Sequence, residues 1–434
     1  MIALWSTLAR VGTMAVSLVC GILTARLAIT QGGVEYYAFL SLLVALPSLV
    51  SFSDLGTGAV VVNGIATSKD VRADRHLERQ VRTVMRIMVI FAGGIAVVNT
   101  VLLLTGGWYV VLGSGAEVPD AGLAAFVCVS IFCLTICLGI WQRVLLGLGR
   151  NPVVILLQGL ISPLALFVVW AFLATGSEAL KSYLALGSFL ATFTVAVIGL
   201  LVAIRSSGPL IPRALRVLLS PRRHPGVKVM DVGWPMMAQL LSSPLSMALP
   251  RYILAQLATG VAVAQYGVAG QVFFALQALV AAAGVTLWPH FAKARANGSI
   301  RRGPFLASGL FGAMIVTATA VILAIGPWLF GIISDGELEI TPDIILAFGL
   351  MITLQAVLYP LGMFMMDRPG IRFQVAPSLL MAASTVALTY VLVPVFGVNG
   401  PLLANAASVM VFQIIPYTVY ILRNRDRLYG VPVG

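Results

Sequence analysis

Apolar residues in this chain come in long runs, broken at intervals by short clusters of charge, glycine and proline. The runs fall near residues 6–29, 36–66, 84–105, 122–141, 152–173 and 183–204, then 232–256, 264–288, 305–333, 342–366, 374–396 and 400–422. About twenty helical residues, rising 1.5 Å each, cover the roughly 30 Å of hydrocarbon in a bilayer. None of the runs alternates as a barrel strand does, and backbone groups in lipid must be satisfied within the segment. The pattern therefore predicts an all-α polytopic membrane protein of about twelve transmembrane helices. Composition agrees: 60% hydrophobic residues and a mean hydropathy of +1.02 exclude a soluble globule.

The longest polar connector, 205–231, divides the chain into an N-terminal lobe of six helices (1–204) and a C-terminal lobe of six (232–434). Within it, "PRALRVLLSP" reads either as a short basic amphipathic helix at the inner surface or as a solvated linker. Six is even, so both lobes start on the same side and run parallel. A faint repeat supports this: "EYYAFLSLLVAL" opens the second span and "AQYGVAGQVFFAL" the eighth, each with a Tyr read as lying at the outer interface. This arrangement fits a two-lobe transporter with a parallel pseudo-two-fold and a pathway between the lobes.

Charge fixes the orientation. Of 27 Lys and Arg, twenty-four fall in the loops after even-numbered spans, in the C-terminal tail, or near the inner mouth at Arg10. The opposite loops hold only Lys181, against eight acids: Glu35, Glu117, Asp120, Glu178, Asp335, Glu337, Glu339 and Asp343. Positive charge stays on the cytoplasmic side, which predicts cytoplasmic termini and a multi-pass protein of the cell membrane. The net charge of +12 is thus a topology signal, with anionic lipid as a further contributor, and not a nucleic-acid footprint. The first span lacks an A-x-A cleavage site and is read as retained.

Soluble chemistry is absent from the pattern. There is no G-x-x-x-x-G-K-[ST], H-E-x-x-H or G-x-S-x-G, and the outer loops are short, so an enzyme is not expected. Cys20, Cys128, Cys133 and Cys137 all lie inside spans and read as packing residues; Cys133 and Cys137 share a face, but no His or carboxylate completes a metal site. The run Asp335 to Asp343 reads as a solvated outer loop.

The remaining ionisable groups are the informative ones, because a charge at the bilayer centre costs about 2.5–3.5 kcal/mol on insertion scales. Asp54 is the deepest, and Pro47, Ser51, Thr57 and Gly58 share its face. Arg10 shares a face with Ser6, Thr13, Ser17, Gly21 and Thr24. Arg26 lies about 160° from Arg10 on an ideal helix, so one cavity holds both only if the span bends; the alternative is snorkelling to the outer headgroups. Arg251 sits in "SSPLSMALPRYIL", where Pro244 and Pro250, with Pro235 near the start, remove hydrogen bonds and predict a broken span that lines a cavity and acts as a hinge.

Several segments resemble the polysaccharide transporter (O-antigen-type flippase) family of the multidrug/oligosaccharidyl-lipid/polysaccharide exporter superfamily. They are "GILTARLAITQGGVEYYAFLSLLVALPSLVSFSDLGTGAVVVNGIA", with an Arg-bearing first helix and an Asp-Leu-Gly in the second; "WQRVLLGLGR"; "LPRYILAQLATGVAVAQYGVAG"; and "PVFGVNGPLLANAAS". The chain departs from the family pattern in two places: Tyr36 stands where a Gly is frequent, and Pro250 precedes Arg251 where an acid is common. Twelve spans where the peptidoglycan lipid flippase has fourteen also separate the two.

The resemblance implies a MATE-like fold and flipping of an undecaprenyl-pyrophosphate-linked oligosaccharide, the repeat unit of O-antigen, capsule or exopolysaccharide, from the cytoplasmic to the outer leaflet by alternating access. Membrane lipids and other polysaccharide-assembly proteins are its expected partners, with no cofactor. Guanidinium forks pair with phosphate oxygens bidentately, which suits Arg251 and Arg26 to the diphosphate and Arg10 to its capture. Gln239, Ser242 and Ser243 are expected to line the sugar space. Asp54 is left as a structural charge or as a site of proton or sodium coupling. The alternatives are a MATE-like cation-coupled drug antiporter, which needs more acids in its cavity, and a membrane polysaccharide polymerase.

Overall fold

The computed structural model describes residues 2–50, 58–68, 70–218, 220, 227, 242, 245–284, 287–296 and 303–429. Every regular element among them is helical. Ten helices are long and apolar enough to cross a membrane: Gly12–Gly32, Arg75–Leu104, Ala121–Gly147, Asn151–Ala174, Leu186–Ser207, Gly260–Gly284, Phe305–Ser334, Pro342–Phe364, Pro369–Phe396 and Asn399–Arg423. The other two expected spans lie partly outside the described residues. The first contains the helices Val34–Leu49 and Gly58–Thr67, and the second ends in the helix Leu249–Leu257.

The chain forms two compact units, Met1–Leu112 with Ala116–Met237, and Gly113–Gly115 with Ala238–Gly434. In the first unit, the helix Ile2–Leu27 packs on Asn151–Gly159 and Ile161–Ala174, while Arg75–Leu104 and Leu186–Ser207 both pack on Ala121–Leu138. Small residues set these approaches: a side chain added at Gly159 would strike Thr13, and one at Gly199 would strike the Trp141 ring. Arg75–Leu104 shows why polarity alone cannot identify the inward face. Its lipid side carries Ile90, Val97, Val101 and Leu104, and its inner side Leu77, Val81, Val84 and Met88, so both are apolar. Asn99 marks the inner side, donating from Nδ2 to the Phe126 carbonyl (3.0 Å) and to Ser130 Oγ (3.2 Å).

Caps and turns fix where these helices begin. Asp74 caps Arg75–Leu104: its carboxylate accepts from the backbone N–H of His76 (2.8 Å) and Leu77 (3.0 Å) and from Ser68 Oγ (3.0 Å). The Leu77 N–H, foremost among these, holds the carboxyl below its ordinary value. After Leu27 the first helix widens into a π turn, Ala28–Gly32, and closes on Gly33, whose φ of 112° is open only to glycine.

In the second unit Pro342–Phe364 is the central helix, with 56% of its apolar window buried against 28% for its neighbour Phe305–Ser334. It packs on Phe305–Ser334, Gly260–Gly284 and Asn399–Val409. Phe348 on this helix stacks on Phe273 (5.3 Å between centroids) and meets Tyr266 (5.1 Å). At its other end Phe364, Leu361 and Met365 cluster with Phe291, Tyr417, Ile421 and Leu428. Arg295 ties that cluster together: Nη2 donates to the Phe364 carbonyl (2.7 Å), Nε donates to the Leu428 carbonyl (3.0 Å), and the guanidinium lies 5.5 Å from the Phe364 ring centroid. Burial lowers the pKa of this guanidinium from its usual value, with the Asp367 carboxylate opposing.

Candidate functional site

The Arg251 segment follows from the covalent chemistry of Pro250. A proline has no N–H to give to the carbonyl four residues back, and its ring clashes with that carbonyl. Here that carbonyl belongs to Ser246, and the helical residues 245–247 give way to a turn at Ala248 before a new helix runs Leu249–Leu257. Pro250 sits in the first turn of the new helix, where its missing N–H costs nothing.

The freed carbonyl is not left bare. Asn405 Nδ2 donates to Ser246 O at 3.0 Å, in place of the N–H that Pro250 lacks. Asn405 Oδ1 in turn accepts from Gln355 Nε2 at 3.0 Å, and both amides lie within 3.8 Å of Met247 Sδ. Asn405 and Ser246 are 1% and 2% exposed, so this is a dry, uncharged tether holding the break in one geometry.

The break places Arg251 in the first turn of its helix, where aligned N–H groups already carry partial positive charge. Its backbone N–H bonds to the Ala248 carbonyl (3.2 Å). Its guanidinium lies 5.5 Å from the Tyr266 ring centroid, a cation–π contact worth roughly 0.5–2 kcal/mol. Nε is buried without a hydrogen-bond partner, and no carboxylate pairs with the side chain among the described residues. A cation in the first turn of a helix, with no counter-charge among the described residues, is a local excess of positive potential that an anion would relieve.

The sequence reading named Arg251 and the break but placed the tyrosine of "AQYGVAGQVFFAL" at the interface. Tyr266 is 3% exposed and its ring lies under the Arg251 guanidinium. The sequence does not announce the tether, because Asn405 and Gln355 are neutral amides far from Ser246 along the chain. A polar amide inside an apolar run, combined with the carbonyl four residues before a proline, was the available signal.

Of the other expected site residues, Ser242 is buried in the second unit. Arg10 and Arg26 lie in the first unit on the regular helix Ile2–Leu27, Arg10 exposed and Arg26 partly buried. The α winding is continuous between them. The helix departs from α geometry only at Ala28–Gly32, beyond Arg26, so the two arginines stay on different sides and about 24 Å apart along the axis. Asp54, Pro235, Gln239, Ser243 and Pro244 lie outside the described residues. The four cysteines are free, and no group of three or more His, Cys, Asp or Glu is gathered among the described residues. In the acidic run Asp335 to Asp343, Asp343 accepts from Asn399 Nδ2 (2.5 Å) and the Glu339 carbonyl accepts from Gln265 Nε2 (2.8 Å).

A family model described as polysaccharide biosynthesis protein matches residues 3–295, from the first helix through the Arg251 segment and the helix after Tyr266. The chain belongs to this family. Its fold is shared with solved transporters. The lipid II flippase MurJ in an inward closed conformation superposes with a TM-score of 0.70 at 10% identity, over 98% of this chain and 90% of that one. An inward-facing multidrug resistance MATE transporter of the MOP superfamily gives 0.67 at 15% identity, over 98% and 99%. A MOP superfamily transporter from Pyrococcus furiosus, whose binding pocket is described as having reversed polarity and suggesting a different function, gives 0.54 at 12%, over 98% and 96%. Comparison with curated protein sequences gave no match. This member of the polysaccharide biosynthesis family is therefore a multi-pass helical membrane protein with a MATE- and MurJ-like fold.

Proposed function

We propose that this protein flips a polyprenyl-diphosphate-linked oligosaccharide from the cytoplasmic to the outer leaflet of the cell membrane, with both termini in the cytoplasm. One observation carries the reading: Arg251 is held at a helix break by uncharged ties, with a buried Nε that has no hydrogen-bond partner among the described residues. A lipid diphosphate must take its charge through a low-dielectric slab, and a guanidinium offers paired donors to phosphate oxygens there. Arg26 and Arg10 are assigned to the same headgroup at other stages of alternating access, because one helix keeps them apart. Outward movement of a negative headgroup runs with an inside-negative potential, worth about 2.3 kcal/mol per charge per 100 mV, so no bound nucleotide is required.

The test is flipping of a fluorescent polyprenyl-diphosphate oligosaccharide in proteoliposomes, with Arg251→Gln, Arg251→Lys and Asp54→Asn compared with the parent. Arg251→Gln is expected to slow flipping at least tenfold, with Arg251→Lys intermediate because a point charge cannot make the paired contact. Flipping by Arg251→Gln at the parental rate would remove the site. A parent that leaves the lipid in place while exporting organic cations would remove the function, and so would one that lengthens the glycan.

A further inference from the structure

The first unit holds a concentration of arginine of its own, at the polar end of Arg75–Leu104. Arg72, Arg75 and Arg213, with Glu78 and Pro209, line a cavity of about 560 Å³. The walls are built, not incidental. The short helix Leu210–Arg216 buries Leu210, Ile211 and Ala214 against the unit, and Arg86 clamps its end, donating from Nε to the Leu218 carbonyl (2.8 Å) and from Nη2 to the Val217 carbonyl (3.0 Å). Arg213 Nη1 donates to the Arg72 carbonyl at 3.1 Å. Gly208, at φ 64°, has no side chain to displace the Arg72 stem that runs along it.

The guanidinium groups of this cavity form no ion pair among the described residues. Glu78, the one acid in the lining, is itself unpaired among them. Two further acids lie outside the lining: Asp74 is committed to its cap, and Asp70 accepts through Oδ1 from the backbone N–H of Arg72 (2.9 Å). Three arginines around one open space, less one glutamate, make a lining of net charge +2 that matches a phosphate in both charge and geometry. Two sources could bring that phosphate, a lipid headgroup or a free anion. The short helix favours the lipid: in seven residues it combines the exposed apolar Leu215 (41%) with the basic Arg213 and Arg216, a composition suited to the headgroup boundary of a membrane.

We propose that this cavity binds the phosphate of an anionic membrane phospholipid, at a site separate from Arg251. The purified full-length chain, in a non-ionic detergent at low salt, is titrated calorimetrically with dihexanoylphosphatidylglycerol, dihexanoylphosphatidylcholine and inorganic phosphate. The phosphatidylglycerol should bind, with the other two at least tenfold weaker. Each arginine near a surface contributes about fivefold, so Arg72→Gln, Arg75→Gln and Arg213→Gln together should weaken binding about a hundredfold. Arg75→Gln alone, which removes no contact within the described protein, should weaken it about fivefold, so the idea remains testable if the triple variant does not fold. Glu78→Gln should tighten binding severalfold. A control that removes the same charge elsewhere, Arg372→Gln with Arg423→Gln and Arg425→Gln, should leave it unchanged. Equal losses in the triple variant and the control, or no tightening with Glu78→Gln, would overturn the site. Inorganic phosphate binding as tightly as the lipid would overturn the lipid as its source.

Discussion

Replacing Asn405 by alanine tests the logic of the broken helix directly. The substitution removes one donor to the Ser246 carbonyl and one acceptor for Gln355, each at 3.0 Å and in buried surroundings. Interhelical hydrogen bonds in membrane proteins average about 0.6 kcal/mol and reach about 1.7, and a carbonyl left buried without a donor adds about 1–3 kcal/mol. The expected loss is about 2 kcal/mol, read as a shift in the denaturant-induced unfolding midpoint of the purified protein in mixed micelles. The decisive comparison is the same substitution in a Pro250→Ala background. An alanine at 250 restores a backbone N–H that can reach Ser246 O, so the loss on removing Asn405 should fall to about 1 kcal/mol, the share belonging to Gln355. Asn405→Ala costing the same in both backgrounds would refute the idea that this side chain stands in for the proline's missing donor. A loss under about 0.3 kcal/mol in the parent would refute the tether altogether.

Two further outcomes follow from the polar ends of the helices. Arg295→Ala abandons the carbonyls of Phe364 and Leu428 and the face of Phe364, and should cost about 3 kcal/mol and expose the segment around Leu428 to limited proteolysis; lysine should restore less than half, because it cannot span both carbonyls. Asp74→Ala should cost about 1 kcal/mol at neutral pH as a lost cap. Because the folded-state carboxyl lies below its ordinary value, the stability it adds is fully present above the ordinary carboxylate range and is lost as pH falls through the lowered one; thermal unfolding of parent and variant should therefore converge in acid.

The fold was legible because lipid imposes so few solutions: long apolar runs become helices whatever their neighbours do. The break before Arg251 was legible for the same kind of reason, since Pro250 acts through covalent geometry and needs no tertiary context. The partners of Arg251 were not legible. Tyr266 reads as an interfacial aromatic by position, and only the packing of Gly260–Gly284 against Pro342–Phe364 turns it inward onto Phe348. Asn405 and Gln355 stand fifty positions apart, each an isolated amide in an apolar stretch, and no local pattern says that they meet. Arg10 and Arg26 show the converse case: the ideal-helix offset read from sequence survives in the structure because nothing between them disturbs the α winding.

The ties within the second unit sort by depth in a way that bears on handling the protein. Within its membrane-spanning part, the hydrogen bonds of Asn405 with Ser246 and Gln355, of Ser378 with Tyr417 and Gln413, and of Ser408 with Ser384 run between neutral donors and acceptors. At the polar rim, by contrast, Arg295 bridges two carbonyls, and Arg427 reaches Asp367 (3.5 Å) and the Tyr420 hydroxyl (2.7 Å) through charged groups. Dissolved salt weakens exposed charged contacts and leaves buried neutral ones alone. A concentrated buffer will therefore slacken the rim of this bundle while its middle keeps its shape.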